Sequence, residues 1–165
     1  MSAINEYNVP KELVNDVFLT SILNLAKNKL FDDAFTILDA IKIDLSSEAC
    51  KARVVNVFKA LMKDNDYVNA AEFAHRFRLQ KSYESDAANK ARHIEFVSKR
   101  YDKALALKNK FKLDKKLTLP LAQKTYRELS AAKDYNMALS IRRSYGISIG
   151  LVEWILEFIM QIFVK

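Results

Sequence analysis

The chain has 165 residues, of which 50% are hydrophobic and 28% charged, a composition typical of a soluble domain that is long enough to bury a core. Glycine and proline number two each, which argues against tight-turned sheets and flexible linkers. The one cysteine, Cys50, excludes an internal disulfide, and the N-terminal stretch has neither a secretory nor a transit signature. We therefore expect an intracellular protein of a reducing compartment, the cytoplasm or alternatively an organelle matrix.

Positive charge is concentrated in the second half of the chain. Residues 76–143 hold 18 basic and 7 acidic residues, a net charge of +11, whereas residues 1–75 carry a net charge of −3. Such asymmetry is typical of a surface that meets phosphate-bearing or acidic partners.

Four alanines mark a repeated helical signature, with spacings of 36, 34 and 34 residues between them. Each alanine has an aromatic residue three positions before it and apolar residues three, seven and nine positions after it. The alanine and the positions three before, three after and seven after it fall on one stripe of an α-helix. The small alanine predicts the point where a neighbouring helix comes closest. A period near 34 predicts stacked helical hairpins. The alanines are Ala34, Ala70, Ala104 and Ala138.

Each signature predicts the second helix of a hairpin, and the segment before it supplies the first. Ser46, Ser47, Asp66, Thr118 and Asp134 stand where helix caps are expected. In chain order we predict helices over 10–28, 31–42, 47–63, 67–80, 86–99, 101–112, 119–132 and 135–145, and a ninth over 149–164. They group into repeats at about 13–44, 47–80, 86–114 and 118–148, which form one helical-repeat domain, 1–148, followed by an apolar segment, 149–165.

The segments YDKALALKNKFKLD (101–114) and DYNMALSIRRSYGIS (134–148) resemble the second helix of tetratricopeptide and pentatricopeptide repeats. The tyrosine before the alanine is similar to the tetratricopeptide pattern, and the large residue seven positions after it to the pentatricopeptide pattern. The resemblance extends over about residues 15–148 and implies a right-handed α-solenoid. The Gly-x-x-Pro ending that is usual in pentatricopeptide repeats is missing from all four repeats of this chain. The small residue of tetratricopeptide first helices is replaced by Ile22, Phe58, Arg92 and Tyr126.

Basic residues recur near the ends of the predicted second helices, where a stack would place them at similar heights. A ladder of this kind can bind an acidic protein segment or follow a phosphate backbone without reading bases. It is equally the pattern of a solvated face, with cations favoured at helix C-termini. The residues that we predict for electrostatic contact with a partner are Arg76, Arg78, Lys108, Lys112, Arg142 and Arg143.

The last predicted helix is nearly all apolar and has one narrow polar stripe. It fits three roles: a partly buried cap over the fourth hairpin, a contact with a partner or a second copy of the chain, or a membrane contact. Two glutamates near its middle make a membrane span costly, by about 2.5–3.5 kcal/mol for a central acidic charge. The residues that we predict for apolar contact are Trp154, Phe158 and Phe163.

No pattern of nucleophile, phosphate loop or metal ligands stands out, and His75 and His93 lack neighbours at ligand spacing. We therefore expect no catalysis, cofactor or metal. The predicted function is a scaffold, an adaptor or a small subunit of a larger complex that binds a partner protein. Two alternatives are single-stranded RNA binding through residues 76–143, and membrane association through the last helix.

Overall fold

The regular structure of the protein is helical throughout the part that the computed structural model describes, residues 10–150 together with Ile155 and Ile159. The predicted all-α class is confirmed for these residues. The α-helices in chain order are α1 (Lys11–Lys27), α2 (Phe31–Ala40), α3 (Glu48–Lys63), α4 (Tyr67–Arg76), α5 (Lys81–Val97), α6 (Tyr101–Lys110), α7 (Leu119–Ala131) and α8 (Tyr135–Tyr145), with a 3-10 helix (Lys116–Thr118) before α7.

The chain divides into two compact units, Met1–Ala87 and Ala88–Lys165, and the division falls within α5. In the first unit α1 packs against α2 and α3, and α3 packs against α4. In the second unit α7 packs against α8 and against the 3-10 helix, and α6 packs against α8. The consecutive helices α1 and α2, α3 and α4, and α7 and α8 therefore pack together in the way that a helical hairpin requires.

The turn between the two helices of a hairpin has the same backbone in all four repeats. The residue five positions before each signature alanine has a positive φ, between 58° and 64°. The N–H of the next residue then bonds to the carbonyl five positions earlier, at 2.8–3.0 Å, which closes the first helix with a Schellman turn. The carbonyl of the residue four positions before the alanine, which donates that N–H, accepts the N–H of the alanine and so begins the second helix. The positive-φ residues are Lys29, Asn65, Lys99 and Lys133.

A second left-handed turn ends α4, α6 and α8, eight positions after the alanine. Arg78, Lys112 and Gly146 have φ values of 52°, 51° and 63°. The first repeat differs, since α2 ends at Ala40 and the backbone is extended at Ile41. The predicted second helices therefore begin where expected, at 31, 67, 101 and 135, and α8 also ends where expected. The other three are shorter than predicted, because the left-handed turn terminates α4 and α6 and the extended backbone at Ile41 terminates α2.

The signature alanines are buried in every repeat, with exposures of 0, 0, 0 and 2% in chain order. Of the large residues at the other signature positions, all are buried or half-buried. Ala104 and Ala138 lie in one apolar cluster of the second unit. The other buried members of that cluster are Phe96, Ala122, Tyr126, Ile141, Tyr145 and Ile147.

Two first helices expose apolar residues that stand at helical spacing in the sequence. Helix α5 begins at Lys81, five residues earlier than predicted, and it exposes Ile94 and Val97 while it buries Arg92, Glu95 and Phe96. In α1, Leu13 and Val17 are more than half exposed, and the buried residues are Leu19, Ile22, Leu23 and Ala26. Apolar spacing alone was a poor guide here because each of these helices carries apolar residues on more than one face.

We expect Ala104→Leu to lower the free energy of unfolding by about 1–3 kcal/mol, because extra methyl groups at a buried, closely packed site force neighbouring side chains out of their preferred rotamers. Ala106→Leu is the matched control, since Ala106 lies on the same helix but is exposed. It should change the stability by less than about 0.5 kcal/mol. Urea unfolding followed by circular dichroism measures both. Equal effects would contradict a close helix contact at Ala104.

We expect Lys133→Gly to raise the free energy of unfolding by about 0.5–1 kcal/mol, because a lysine in the left-handed region carries a steric cost that exceeds the entropy that a glycine loses on folding. Lys124→Gly is the control, since Lys124 is an exposed lysine inside α7. There the same change should lower the stability by about 1 kcal/mol. A loss of stability in both variants would contradict the assigned turn geometry.

Candidate functional site: a cationic cluster around Tyr145

The six residues predicted for electrostatic contact are divided between the two units. Arg76 and Arg78 belong to the first, and Lys108, Lys112 and the pair 142–143 to the second. A single ladder that runs along all the repeats stays a prediction. Within each unit, the partners of these side chains decide which charges are available to another molecule.

Arg76 is committed to contacts inside the first unit. Its Nη1 lies 2.5 Å from a carboxylate oxygen of Asp39, and its Nε lies 2.8 Å from Glu72. The guanidinium carbon stands 4.6 Å from the centre of the Phe35 ring. The hydrogen bonds to Glu72 and Asp39 raise the pKa of Arg76. Arg76 thus joins α4 to α2, and a partner would have to compete with two carboxylates for it.

Lys81 and His75 of the first unit share a buried carboxylate. Glu84 is 6% exposed, accepts a hydrogen bond from Lys81, and lies 3.2 Å from Nδ1 of His75. Burial raises the pKa of Glu84, but the hydrogen bonds from Lys81 and His75 and their charges outweigh it, and the net pKa is lowered. Glu84 is therefore ionised at neutral pH and neutralises cationic charge at the start of α5.

We expect Glu84→Gln to lower the free energy of unfolding at pH 7 by about 1–2 kcal/mol, because a buried charge-assisted hydrogen bond is weakened. A lowered folded-state pKa contributes stability above the unfolded-state pKa that is lost as the pH falls through the folded-state value. The stability gap between native protein and variant should therefore shrink below about pH 4.3.

Urea unfolding at neutral and acidic pH measures this gap. Glu48→Gln is the control, because Glu48 is paired with Lys51 on the surface and its side chain is 87% exposed. That variant should differ from the native protein by less than about 0.5 kcal/mol at both pH values. A Glu84→Gln gap that stays constant with pH would contradict the assigned ion pairs.

Arg78 and Lys112 occupy equivalent positions, the left-handed residues that follow α4 and α6. Both side chains are exposed, as is Arg143, whereas Arg142 is half-buried. Three of the predicted contact residues thus present their charge to solvent, and the turn geometry fixes the backbone from which two of them project.

Tyr145 is the centre of a cationic cluster in the second unit, which we define as Arg92, Lys108 and Lys115 around this ring. Nζ of Lys108 lies 5.4 Å from the ring centre. Nζ of Lys115 lies 3.8 Å from the position that a β-carbon would take on Gly146, the next residue. Burial lowers the pKa of Lys108, and the positive charges of Lys115 and Arg92 lower it further.

Arg92 is fully buried, with an exposure of 0%. Its Nη1 donates to the main-chain carbonyl of Asp114 at 2.9 Å, and its Nη2 donates to the side-chain carbonyl of Asn89 at 2.6 Å. Its Nε is buried and makes no hydrogen bond within the described residues. Burial lowers the pKa of Arg92, and contacts with Tyr145 and the charge of Asp114 partly offset that effect. Both oxygen atoms that accept these two hydrogen bonds are neutral.

Thr118 contacts Tyr145, and the sequence did not predict this contact. It stands at the N-cap of α7, as expected, but its side chain makes no cap hydrogen bond. Its hydroxyl instead lies 3.3 Å from the hydroxyl of Tyr145. Asp134, by contrast, caps α8 as predicted, because its carboxylate accepts the N–H of Met137 at 3.3 Å.

In the sequence, Arg92 stands out only as a departure from the tetratricopeptide pattern. A signal was nevertheless present, since Arg92 stands twelve positions before its alanine and the equivalent residues of the other repeats carry no charge. All four side chains at this position are buried, so the third repeat places a guanidinium where the others place an apolar or aromatic group. The equivalents are Ile22, Phe58 and Tyr126, with exposures of 0, 3 and 5%.

The residues predicted for apolar contact, Trp154, Phe158 and Phe163, lie outside the described residues. Of the same segment, Ile155 and Ile159 are described, and they are helical and 43% and 44% exposed. Within the described part of the chain, no helix combines the length and apolar character needed to cross a membrane. The same residues contain no group of three side chains suited to hold a metal ion.

No protein-family model matches the chain, and no significantly similar curated protein or solved structure is found. The resemblance to tetratricopeptide and pentatricopeptide repeats therefore rests on the residues quoted above.

Proposed function

We propose that the chain is a non-catalytic interaction protein, a right-handed α-solenoid of four hairpins that acts as a scaffold, an adaptor or a small subunit of a complex. The observation that carries this proposal is the recurrence of one helix–turn–helix backbone, with its positive-φ turn and buried alanine, in four successive segments. Arrays of such hairpins bury their core between neighbours and offer an extended surface to a peptide or a partner helix.

The partner that we propose is an acidic protein segment, and the cationic cluster in the second unit is its binding site. In the first unit, Arg76 already faces Asp39 and Glu72, and Lys81 already faces Glu84. In the second unit, Lys108 and Lys115 form no ion pair with any described residue. An acidic segment would supply the missing negative charge, which favours rapid and specific association.

Single-stranded RNA is the second candidate, favoured by the net charge of +11 over residues 76–143. Proteins that bind single strands stack bases on exposed aromatic rings in addition to pairing phosphates with cations. Tyr145, whose ring lies beside Lys108, and Phe111, whose ring lies beside Lys110, are 3% exposed each. They offer no ring face to a base, and this favours the protein partner.

We expect the double variant Lys108→Glu with Lys115→Glu to lose at least about tenfold in affinity for the partner, because charge reversal turns attraction into repulsion at the contact. Capture from cell extract, followed by reconstitution with each purified captured protein, measures the effect. Lys124→Glu is the control, since it removes an exposed lysine of the same unit that already pairs with Glu128 at 3.8 Å.

Two further experiments distinguish the acidic protein partner from RNA and from an interface in the last segment. Ribonuclease treatment that abolishes capture would replace the protein partner by RNA. A chain that ends at Ser148 and loses capture, while the charge variants keep it, would assign the interface to the last segment. Equal capture by native protein and the double variant would overturn the proposed site.

A further inference from the structure

Three positive charges converge on Tyr145 without a carboxylate among their hydrogen-bond or ion-pair partners in the described residues. Nζ of Lys108 stands over the ring, Nζ of Lys115 faces the adjacent Gly146, and the guanidinium of Arg92 is buried behind them. The nearest acidic residue in sequence, Asp114, uses its carboxylate to accept the main-chain N–H of Lys116 at 2.8 Å. Like charges held together in this way disfavour one another unless an anion joins them.

Arg92 makes the cluster more than a patch of surface lysines. The equivalent position is filled by an uncharged side chain in the other three repeats, and a buried charge whose hydrogen bonds go to neutral oxygen atoms is costly. The buried Nε has no acceptor within the described part of the chain. Tyr145 and the charge of Asp114 offset this cost only in part, and a residue that breaks the local rule of its repeat in this way is expected at a functional site.

We propose that Lys108 and Lys115 bind the phosphate monoester of a phosphorylated serine or threonine in a partner protein, with Arg92 as a positioning residue that supplies buried positive charge beneath Tyr145. This inference rests on the proposed function and specifies the chemistry of the acidic segment. Arg92 acts through Tyr145 and through its field, because its own atoms are closed to solvent.

The charge of the cluster selects a phosphate monoester over other anions. A phosphorylated serine or threonine carries about −1.5 to −2 charges at pH 7 and three acceptor oxygens. A carboxylate has a single charge, and a phosphodiester of a nucleic acid likewise carries one charge per phosphate. The dianion therefore matches three converging cations best. Burial lowers the pKa of Lys108, the positive charges of Lys115 and Arg92 lower it further, and a bound dianion would offset the effect of these charges.

The test uses the full chain and four small probes, each titrated at constant ionic strength while amide chemical shifts are followed by NMR. The probes are N-acetyl-O-phosphoserine amide, N-acetylglutamate amide, dimethyl phosphate and inorganic phosphate. We expect the phosphoserine derivative to bind at least about tenfold more tightly than the glutamate derivative and dimethyl phosphate. Its affinity should also fall as the pH drops below about 6, where the monoester loses its second charge.

The variants assign the binding to the cluster. Lys108→Gln with Lys115→Gln should weaken the phosphoserine derivative by at least about tenfold, and Lys124→Gln by less than about twofold. Arg92→Met should weaken it severalfold while the variant keeps the native circular dichroism spectrum. Where Arg92→Met fails to fold, the two lysine variants still decide the question, because Lys115 is exposed and Lys108 half-buried.

Each other outcome overturns a defined statement. If the phosphoserine and glutamate derivatives bind equally and the lysine variants weaken both, the phosphate inference fails and the acidic-partner proposal stands. If inorganic phosphate binds more tightly than the phosphoserine derivative, the ligand is free phosphate and the phosphorylated partner is ruled out. If dimethyl phosphate binds as tightly, the result favours RNA. If no probe binds, the inference fails, and the capture experiment decides the proposed function separately.

Discussion

The burial of one alanine in each second helix is the packing constraint on which each hairpin depends. The second helices have only ten or eleven residues, a length at which an isolated helix is marginal in water. Their stability must therefore come from packing, and packing at the signature position requires a side chain as small as alanine. The Schellman turn before each second helix fixes the position of the alanine along the chain. One residue, four positions before the alanine, both closes the first helix and begins the second.

Some cations of the chain are held by carboxylates, and others, in the cluster around Tyr145, form no ion pair with a described residue. In the first unit, Arg76 and Lys81 hold carboxylates of neighbouring helices and contribute to the fold. In the second unit, Lys108 and Lys115 face a tyrosine and a glycine, and Arg92 is buried among neutral acceptors. Natural proteins give up stability in this way at sites that serve another molecule.

The second helices were well predicted because their signal is local. The positions of Phe31, Tyr67, Tyr101 and Tyr135 relative to the alanines place each helix start, and the structure begins each helix at that residue. The ends were less well predicted, since the terminating residues Arg78 and Lys112 are not the glycine that usually marks a left-handed turn. The start of α5 at Lys81 was missed because its first turn carries a single hydrophobic residue, Tyr83, which is too little to establish a periodicity.

The sequence by itself determined the helical class, the register of the second helices and the burial of the four alanines, because helical periodicity links residues only three or four positions apart. Tertiary structure alone decided which cations find partners that are distant in sequence. Arg76 meets Asp39 across 37 residues of sequence, and Arg92 meets Asp114 across 22. No local pattern encodes such partners, because they depend on which helices pack together. The cationic cluster around Tyr145 is a product of that packing, although its most telling residue, Arg92, was already visible as the charged member of an otherwise uncharged set.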